Sequence, residues 1–207
     1  MKLLIVAATK AEIALVYEHF NLPDRHFVQQ STFDILITGV GMTATAFALG
    51  KHLNNTYQLV VNVGVAGSFD KELALGSLVN IYEDTFAELG AEDHDDFISL
   101  KELGFGDITY HTNYNLTGLP KAKGITVNKV HGNAESIKQI IKRLAPQTES
   151  MEGAAVLYAC NVNDIPCVQV RSISNYVEPR AKENWKIGLA IKNLNEWLIG
   201  FITQQTK

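Results

Sequence analysis

Three polar residues stand where a chain of alternating strands and helices would gather its chemistry: Glu12 beyond the first apolar run, Glu152 at a helix start, and Asn175 at the end of a late strand. A carboxylate that the fold does not consume can take a proton from water as a general base. A second carboxylate offers acceptor oxygens only, so it can receive hydrogen bonds from two adjacent hydroxyls. An amide presents two N–H donors and one acceptor to the edge of a heterocycle. Each residue also has a purely structural use. Either glutamate could complement the positive end of its helix, worth about 0.3 to 1 kcal/mol, and Asn175 could bond its own backbone in a turn.

The stretch Glu149 to Val156 reads ESMEGAAV. The small residues Gly153, Ala154 and Ala155 predict a first helical turn pressed against neighbouring backbone, which would hold the acid at Glu152 by packing. A carboxylate fixed in this way can grip a diol.

The elements that must position these residues alternate along the chain. Lys2 to Thr9 is a branched apolar run, the pattern of a strand covered on both faces, and Lys10 to Phe20 follows at helical spacing with Pro23 beyond its end. Phe33 to Thr38 and Tyr57 to Val63 predict strands, with a small-residue helix over Met42 to Leu53 between them. Further strands are expected from Leu78, over Gly124 to Val130 and over Cys167 to Ser172, and helices over Ala134 to Leu144, Glu152 to Val162 and Trp185 to Thr203. Alternation with glycines at the strand ends predicts an α/β fold with a largely parallel, doubly covered sheet, whose ligands bind beyond the carboxyl ends of the strands. Asp93 to Gly118 is polar, carries Phe97, Phe105, Tyr110 and Tyr114, and is expected to be a functional loop.

Composition removes several classes of function. The 207 residues are 46% hydrophobic and 19% charged, enough to bury a large core in one domain. Lysine and arginine number 18 against 22 acidic residues, a net charge of -4 without a basic cluster, so nucleic acid is not an expected partner. No run reaches the roughly 20 apolar residues of a membrane span, and Lys2 to Ala8 lacks the flanks of a signal peptide, so a cytoplasmic protein without a membrane partner is expected. Cys160 and Cys167 have no zinc-like spacing and are expected to be reduced and buried; His94, His111 and His131 show no metal spacing, and solvated or packing roles are expected for them. The turn Gly39-Val40-Gly41 joins a strand to a helix as in dinucleotide folds, but Val61, Asn62 and Val63 end the next strand where an acid is required. No metal and no cofactor are expected.

Five ordered motifs resemble the nucleoside phosphorylase and nucleosidase superfamily: MKLLIVAATKAEI with Glu12, TGVGMTATA at Thr38 to Ala46, NVGVAGSF at Asn62 to Phe69, ESMEGAAV, and RSISN at Arg171 to Asn175. Together they cover nearly the whole chain. FAELGAED at Phe86 to Asp93, TVNKV at Thr126 to Val130 and ISNYVEPR at Ile173 to Arg180 are most similar to the futalosine hydrolases of menaquinone biosynthesis. The resemblance implies one three-layer α/β/α phosphorylase-like domain over residues 1–207, with a central mixed, largely parallel twisted sheet, and a homodimer or higher homo-oligomer that completes the pocket.

It also implies a reaction: hydrolysis of the N-glycosidic bond of a nucleoside, futalosine, releasing hypoxanthine and dehypoxanthine futalosine. By position, Glu12 matches the general base for water and Glu152 the ribose-diol carboxylate. Met151 matches the apolar residue against the sugar, and Val65, Ala66 and Gly67 join the substrate-binding set. Asn175 stands where adenine-cleaving nucleosidases have an aspartate. Both N7 and O6 of a 6-oxopurine accept hydrogen bonds, and an amide NH2 has two hydrogens to give, so hypoxanthine is the expected base. With Asn62 and Val65 at the central strand exit and Lys10 as the cation near the first, no phosphate site is expected. Arg180 is the expected partner of the substrate's benzoate. The alternatives are a nucleosidase for methylthioadenosine, S-adenosylhomocysteine or aminodeoxyfutalosine, and a catalytically silent nucleoside-binding relative.

Overall fold

The computed structural model describes residues 1–94, 96–114 and 118–205. Its strands and helices follow in the order β1 (Leu3–Ala7), α1 (Ala14–His19), β2 (Phe27–Gln29), β3 (Phe33–Ile37), α2 (Met42–His52), β4 (Leu59–Ser68), β5 (Leu78–Phe86), β6 (Gly90–Asp93), β7 (Asp96–Ser99) and β8 (Thr109–His111). There follow β9 (Lys121–Thr126), α3 (Ala134–Leu144), β10 (Thr148–Ser150), α4 (Gly153–Val162), β11 (Cys167–Tyr176) and α5 (Ile187–Gln205). Single 3-10 turns at Lys10–Ile13 and Lys182–Asn184 lead into α1 and precede α5.

Among the described residues, nine strands form one mixed sheet in the order β10-β9-β5-β11-β4-β1-β3-β2, with β8 beside β5. The pairs β1–β3, β1–β4, β4–β11, β5–β9 and β9–β10 are parallel. β10 also pairs antiparallel with β4, matching Thr148 to Ser68 and Glu149 to Gly67. That second pairing closes β4, β11, β5, β9 and β10 into a ring, so the sheet curls at the end where the polar residues lie. An irregularity between Ile173 and Asn175 shifts the β11–β4 register by one residue. Such a bulge turns a strand and re-aims its side chains.

Alternation along β1 divides the core into layers. Leu3, Ile5 and Ala7 face α1 and α5 through Ile13, Val16, Leu194, Leu198 and Ile202. Leu4 and Val6 face α2 and α4 through Leu49, Val156, Leu157 and Cys160. Each fully buried Leu, Ile or Val contributes about 1.5 to 3 kcal/mol, so two apolar faces on every central strand force helices onto both sides. Cys160 and Cys167 are free and buried.

Several sequence expectations shift. β4 does not stop at Val63 but runs through Gly64 to Ser68, because the ring supplies partners for its glycines. β9 ends at Thr126. Thr148 to Ser150, expected to lead straight into a helix, pairs as a short strand. β11 continues through Asn175. The expected functional loop holds β7 and β8, and its residues 95 and 115–117 lie outside the described set.

Candidate active site

Glu12 is placed by a capping box. Thr9 Oγ1 accepts the Glu12 N–H at 3.4 Å while Glu12 Oε2 accepts the Thr9 N–H and hydroxyl, each at 3.0 Å. Asn195 on α5, fully buried, donates to the Glu12 carbonyl at 2.8 Å and accepts from Val16 N–H at 3.1 Å, fixing the junction of the 3-10 turn with α1. The other carboxylate oxygen, Oε1, accepts the Val65 N–H at 3.2 Å. The helix-end role foreseen for Glu12 is therefore real, and it still leaves the carboxylate at the exit of β4.

Glu152 occupies the N-cap position of α4, but its side chain caps nothing in its own helix. Its Oε1 crosses to accept the Gly41 N–H at 2.8 Å, at the N-terminus of α2, where aligned peptide dipoles favour negative charge. The left-handed φ of Gly41, +94°, allows that turn. Burial pushes the Glu152 carboxyl above its ordinary pKa; Arg171 and the Gly41 N–H oppose the rise, and Glu12 adds to it. The two acids are thus near enough to repel, and one guanidinium serves between them.

Arg171 is 2% exposed. Its Nη2 donates to Asn62 Oδ1 at 2.6 Å, and Asn62 Nδ2 donates to the Val6 carbonyl at 3.2 Å. The guanidinium lies over Gly64, where an added Cβ would come within 2.6 Å of Arg171 Nη1 and 2.9 Å of Glu12 Oε1. The sequence motif contained Arg171 without assigning it a role. No local pattern marks it, because a cation within a strand reads as a solvated edge.

Asn175 is oriented by its neighbour. Ser174 Oγ lies 2.8 Å from Asn175 Oδ1 as donor, and Asn175 Nδ2 donates to the Tyr176 carbonyl at 3.1 Å, which leaves one amide hydrogen without a partner among these contacts. Gly67 stands beside it in register, and a Cβ there would meet Val177 Cγ2 at 2.9 Å and Asn175 Nδ2 at 3.2 Å. The Ala66 carbonyl lies 3.1 Å from Ser174 Oγ. Val65 spends its N–H on Glu12, and Met151 is half-buried beside Glu152 at the β10–α4 junction.

Small residues at the start of α4 do allow a close approach, but against side chains and not backbone. A Cβ on Gly153 would fall 2.2 Å from Asp84 Oδ2 and 2.3 Å from Gln169 Nε2. Asp84 is fully buried; Gln169 Nε2 donates to its Oδ2 at 2.8 Å and Thr126 Oγ1 to its Oδ1 at 2.9 Å. Thr126 Oγ1 in turn accepts the Ala154 N–H at 2.7 Å. Burial pushes the Asp84 carboxyl up to about 6 against those bonds and the nearby Arg171.

One other expectation needs correction. His131 is neither solvated nor merely packed: its Nδ1 lies 2.7 Å from Glu149 Oε2, and its backbone N–H donates to the same carboxylate at 3.1 Å. The aromatics of the expected functional loop are spread over several environments. Phe97 lies under the Arg143 guanidinium at 3.9 Å, Tyr110 packs edge-on against Tyr158, Tyr114 sits against the α1/α5 core, and Phe105 is exposed. Arg180 is exposed, lies 5.2 Å over the Trp185 ring and donates its N–H to the Gly132 carbonyl at 3.3 Å.

The curated relatives decide the family. A futalosine hydrolase from Streptomyces coelicolor is 30% identical over 95% of this chain and 93% of its own length. The chain belongs to the futalosine hydrolase family. A profile of the phosphorylase superfamily matches residues 124–199, which carry Glu152, Arg171 and Asn175. Two solved structures from Helicobacter pylori share the fold at 19% identity. A 5'-methylthioadenosine/S-adenosylhomocysteine nucleosidase has a TM-score of 0.83 and a futalosine hydrolase one of 0.82, each covering 99% of this chain and 98% of the other. As a member of the futalosine hydrolase family the chain is an N-glycosyl hydrolase, and Glu12, Glu152, Arg171 and Asn175 are the polar groups its fold collects at the strand exits.

Proposed function

We propose that this enzyme hydrolyses the N-glycosidic bond of futalosine, releasing hypoxanthine and dehypoxanthine futalosine. The observation that carries the reading is the meeting of Glu12 Oε1 and Arg171 Nη1 over Gly64, with the Arg171 charge also acting on Glu152. As the glycosidic bond stretches, positive charge grows on the ribose and negative charge on the purine. Glu152 receives the 2'- and 3'-hydroxyls and remains anionic beside the cationic sugar. Glu12 takes a proton from the water that attacks the anomeric carbon, and the departing purine anion takes a proton from solvent water, since the Asn175 amide has none to give. Asn175 presents its remaining amide hydrogen to the N7/O6 edge as that edge gains charge, with its carbonyl oxygen held by Ser174.

Water as the acceptor is supported by how the cations are committed. Lys10 pairs with Asp24 at 2.7 Å, and Arg171, held by Asn62 through Nη2, turns Nη1 to the space over Gly64 that the Glu12 carboxylate shares, where a second anion would be repelled. The benzoate end is assigned to Arg180 and Trp185, an exposed cation over an aromatic ring. We also propose a homodimer: Phe47 is 70% exposed and Phe105 76%, Tyr158 and Val162 are exposed too, and a cavity of about 690 Å³ is lined by Met42, Ala46, Phe105 and Tyr158 among others. No helix among the described residues is long and apolar enough to cross a membrane.

Incubation with futalosine in phosphate-free buffer, followed by chromatography, is expected to yield free hypoxanthine, and Glu12→Gln is expected to lower kcat by about 10²- to 10⁴-fold. Strict dependence on added phosphate overturns the hydrolytic reading. Faster release of adenine from methylthioadenosine than of hypoxanthine from futalosine overturns the choice of substrate.

A further inference from the structure

The proposed reaction uses Glu12, Glu152 and Asn175, and leaves unexplained a carboxylate buried behind them. Asp84 lies on β5 with no exposure, a costly position unless its oxygens are satisfied. Both are. Thr126 of β9 and Gln169 of β11 each donate to one oxygen, so Asp84 ties together three strands of the closed ring. The Thr126 link has a fixed direction. Its Oγ1 accepts the Ala154 N–H, and the hydroxyl hydrogen is therefore the one that points at Asp84 Oδ1. Ala154 is the second residue of α4, and its N–H is one of the donors that a helix start leaves without an intrahelical partner.

The same carboxylate limits how far α4 can approach the sheet. Asp84 Oδ2 and Gln169 Nε2 fill the space where any side chain at position 153 would begin, so the helix seats on them only through a glycine. Glu152 is the residue before that glycine and has no capping bond within its own helix. Its aim toward Gly41 is consequently set by where the first turn of α4 rests.

We propose that Asp84 is a positioning residue for the catalytic site: through Thr126 and Gln169, and by direct contact with Gly153, its ionised carboxylate sets the first turn of α4 and so aims Glu152 at the ribose. This rests on the proposed role of Glu152 as the diol carboxylate.

The charge state of Asp84 is part of the device. With Thr126 and Gln169 Nε2 both donating, the hydrogen added by protonating Asp84 finds no acceptor among these partners unless the Gln169 amide turns. That amide has the means to turn, because Gln169 Oε1 is buried without a partner. Among charged groups on the packed elements, Arg171 of β11 faces Asp84 and is shared with Glu152. Lys123 of β9 is turned to Glu83 at 3.1 Å, and Tyr110 of β8 packs against Phe86 and Tyr158. Glu152 itself stands beyond Gly153.

The test is the pH profile of kcat/KM for futalosine in the parent, Asp84→Asn, Thr126→Val and Thr126→Ser, with folding checked by circular dichroism. Asp84→Asn is expected to lower kcat/KM by about 10- to 100-fold, the scale of an ångström-sized misplacement. It also moves the acid limb to lower pH, since the group that must ionise is gone and Arg171 answers to one carboxylate fewer. Thr126→Val breaks the same link and removes a bond that holds the Asp84 carboxyl down, so kcat/KM falls by a similar factor while the limb moves to higher pH, opposite to Asp84→Asn, and Thr126→Ser restores activity to within roughly threefold of the parent. A limb that does not move in Asp84→Asn, Thr126→Val as active as the parent, or Thr126→Ser as impaired as Thr126→Val overturns the proposal. Glu152→Gln separates the two levels. If it retains activity, the ribose role of Glu152 fails; if it is inactive and Asp84→Asn behaves as the parent, the Asp84 proposal alone fails.

Discussion

Glu12 Oε1 and Arg171 Nη1 share the space above Gly64 that a side chain there would occupy. The guanidinium is fixed from behind by Asn62, and its field reaches Glu152 and Asp84 as well. Three carboxylates from three separate segments are therefore arranged around one buried cation. A buried charge left without such compensation costs several kcal/mol. Arg171 offsets the repulsion that Glu12 adds at Glu152.

Gly64→Ala should uncouple this pair. The new methyl group would overlap Arg171 Nη1 at 2.6 Å, and a guanidinium bonded to Asn62 cannot retreat freely. Futalosine turnover is expected to fall by about 10²-fold or more, with the larger part in kcat, because the misplaced group is Glu12, the proposed water-activating acid. Steady-state kinetics on a variant with unchanged circular dichroism checks this. Parent-like kcat would mean that the contact is tolerated.

Asn175→Asp should move base preference from 6-oxopurine to 6-aminopurine nucleosides. Ser174 Oγ continues to hold one side-chain oxygen. The free amide hydrogen proposed to face the 6-oxo edge is replaced by a carboxyl oxygen, which would repel O6 and accept from an amino group. Sites built around a particular hydrogen bond reject the wrong partner by large factors, so the ratio of kcat/KM for inosine-type over adenosine-type substrates is expected to drop by about 10²-fold or more. Paired assays on futalosine and aminodeoxyfutalosine measure it.

The legible parts of this molecule were those set by period and by small residues. Leu3 to Ala7, Phe33 to Ile37 and Ala134 to Leu144 follow from apolar spacing alone, and Glu12, Glu152 and Asn175 could be singled out because each sits at an element boundary. What sequence could not show was closure. The pairing of Glu149 with Gly67 joins residues 82 positions apart, and neither has a local pattern that demands it. Arg171 and Asp84 were hidden for the same reason. A charged residue within a strand looks like a solvated edge until the neighbours that surround it are known. Arg180 could be named from its motif, but its stacking on Trp185 depends on a turn with no periodic signal.

Arg180→Ala should raise KM for futalosine by about 10-fold and leave inosine turnover near the parent value. An exposed cation–aromatic pair is worth about 0.5 to 1 kcal/mol by itself, so most of the loss would come from the substrate carboxylate left without its charged partner. Comparing the two substrates distinguishes a benzoate contact from a general effect. Equal losses on both would move Arg180 from recognition to structure.

Asp84→Asn should stabilise the protein at neutral pH while impairing it. The Asp84 pKa rises from 3.8 to about 6, and burial is the largest cause. A carboxyl whose folded pKa is raised contributes stability that is fully present below about 3.8 and is lost as pH rises through about 6, because the folded state then holds a charge that the unfolded chain keeps in water. Two units correspond to roughly 3 kcal/mol. Asparagine carries no such penalty. The Tm difference between variant and parent is therefore expected to be small near pH 4 and to widen in favour of the variant by pH 8, at about 2 to 4 °C per kcal/mol for a chain of this size. Thermal melts at both pH values read it directly. A difference that stays constant with pH would show that Asp84 has the same ionisation in the folded and unfolded chain, and the cost ascribed to its burial would be absent.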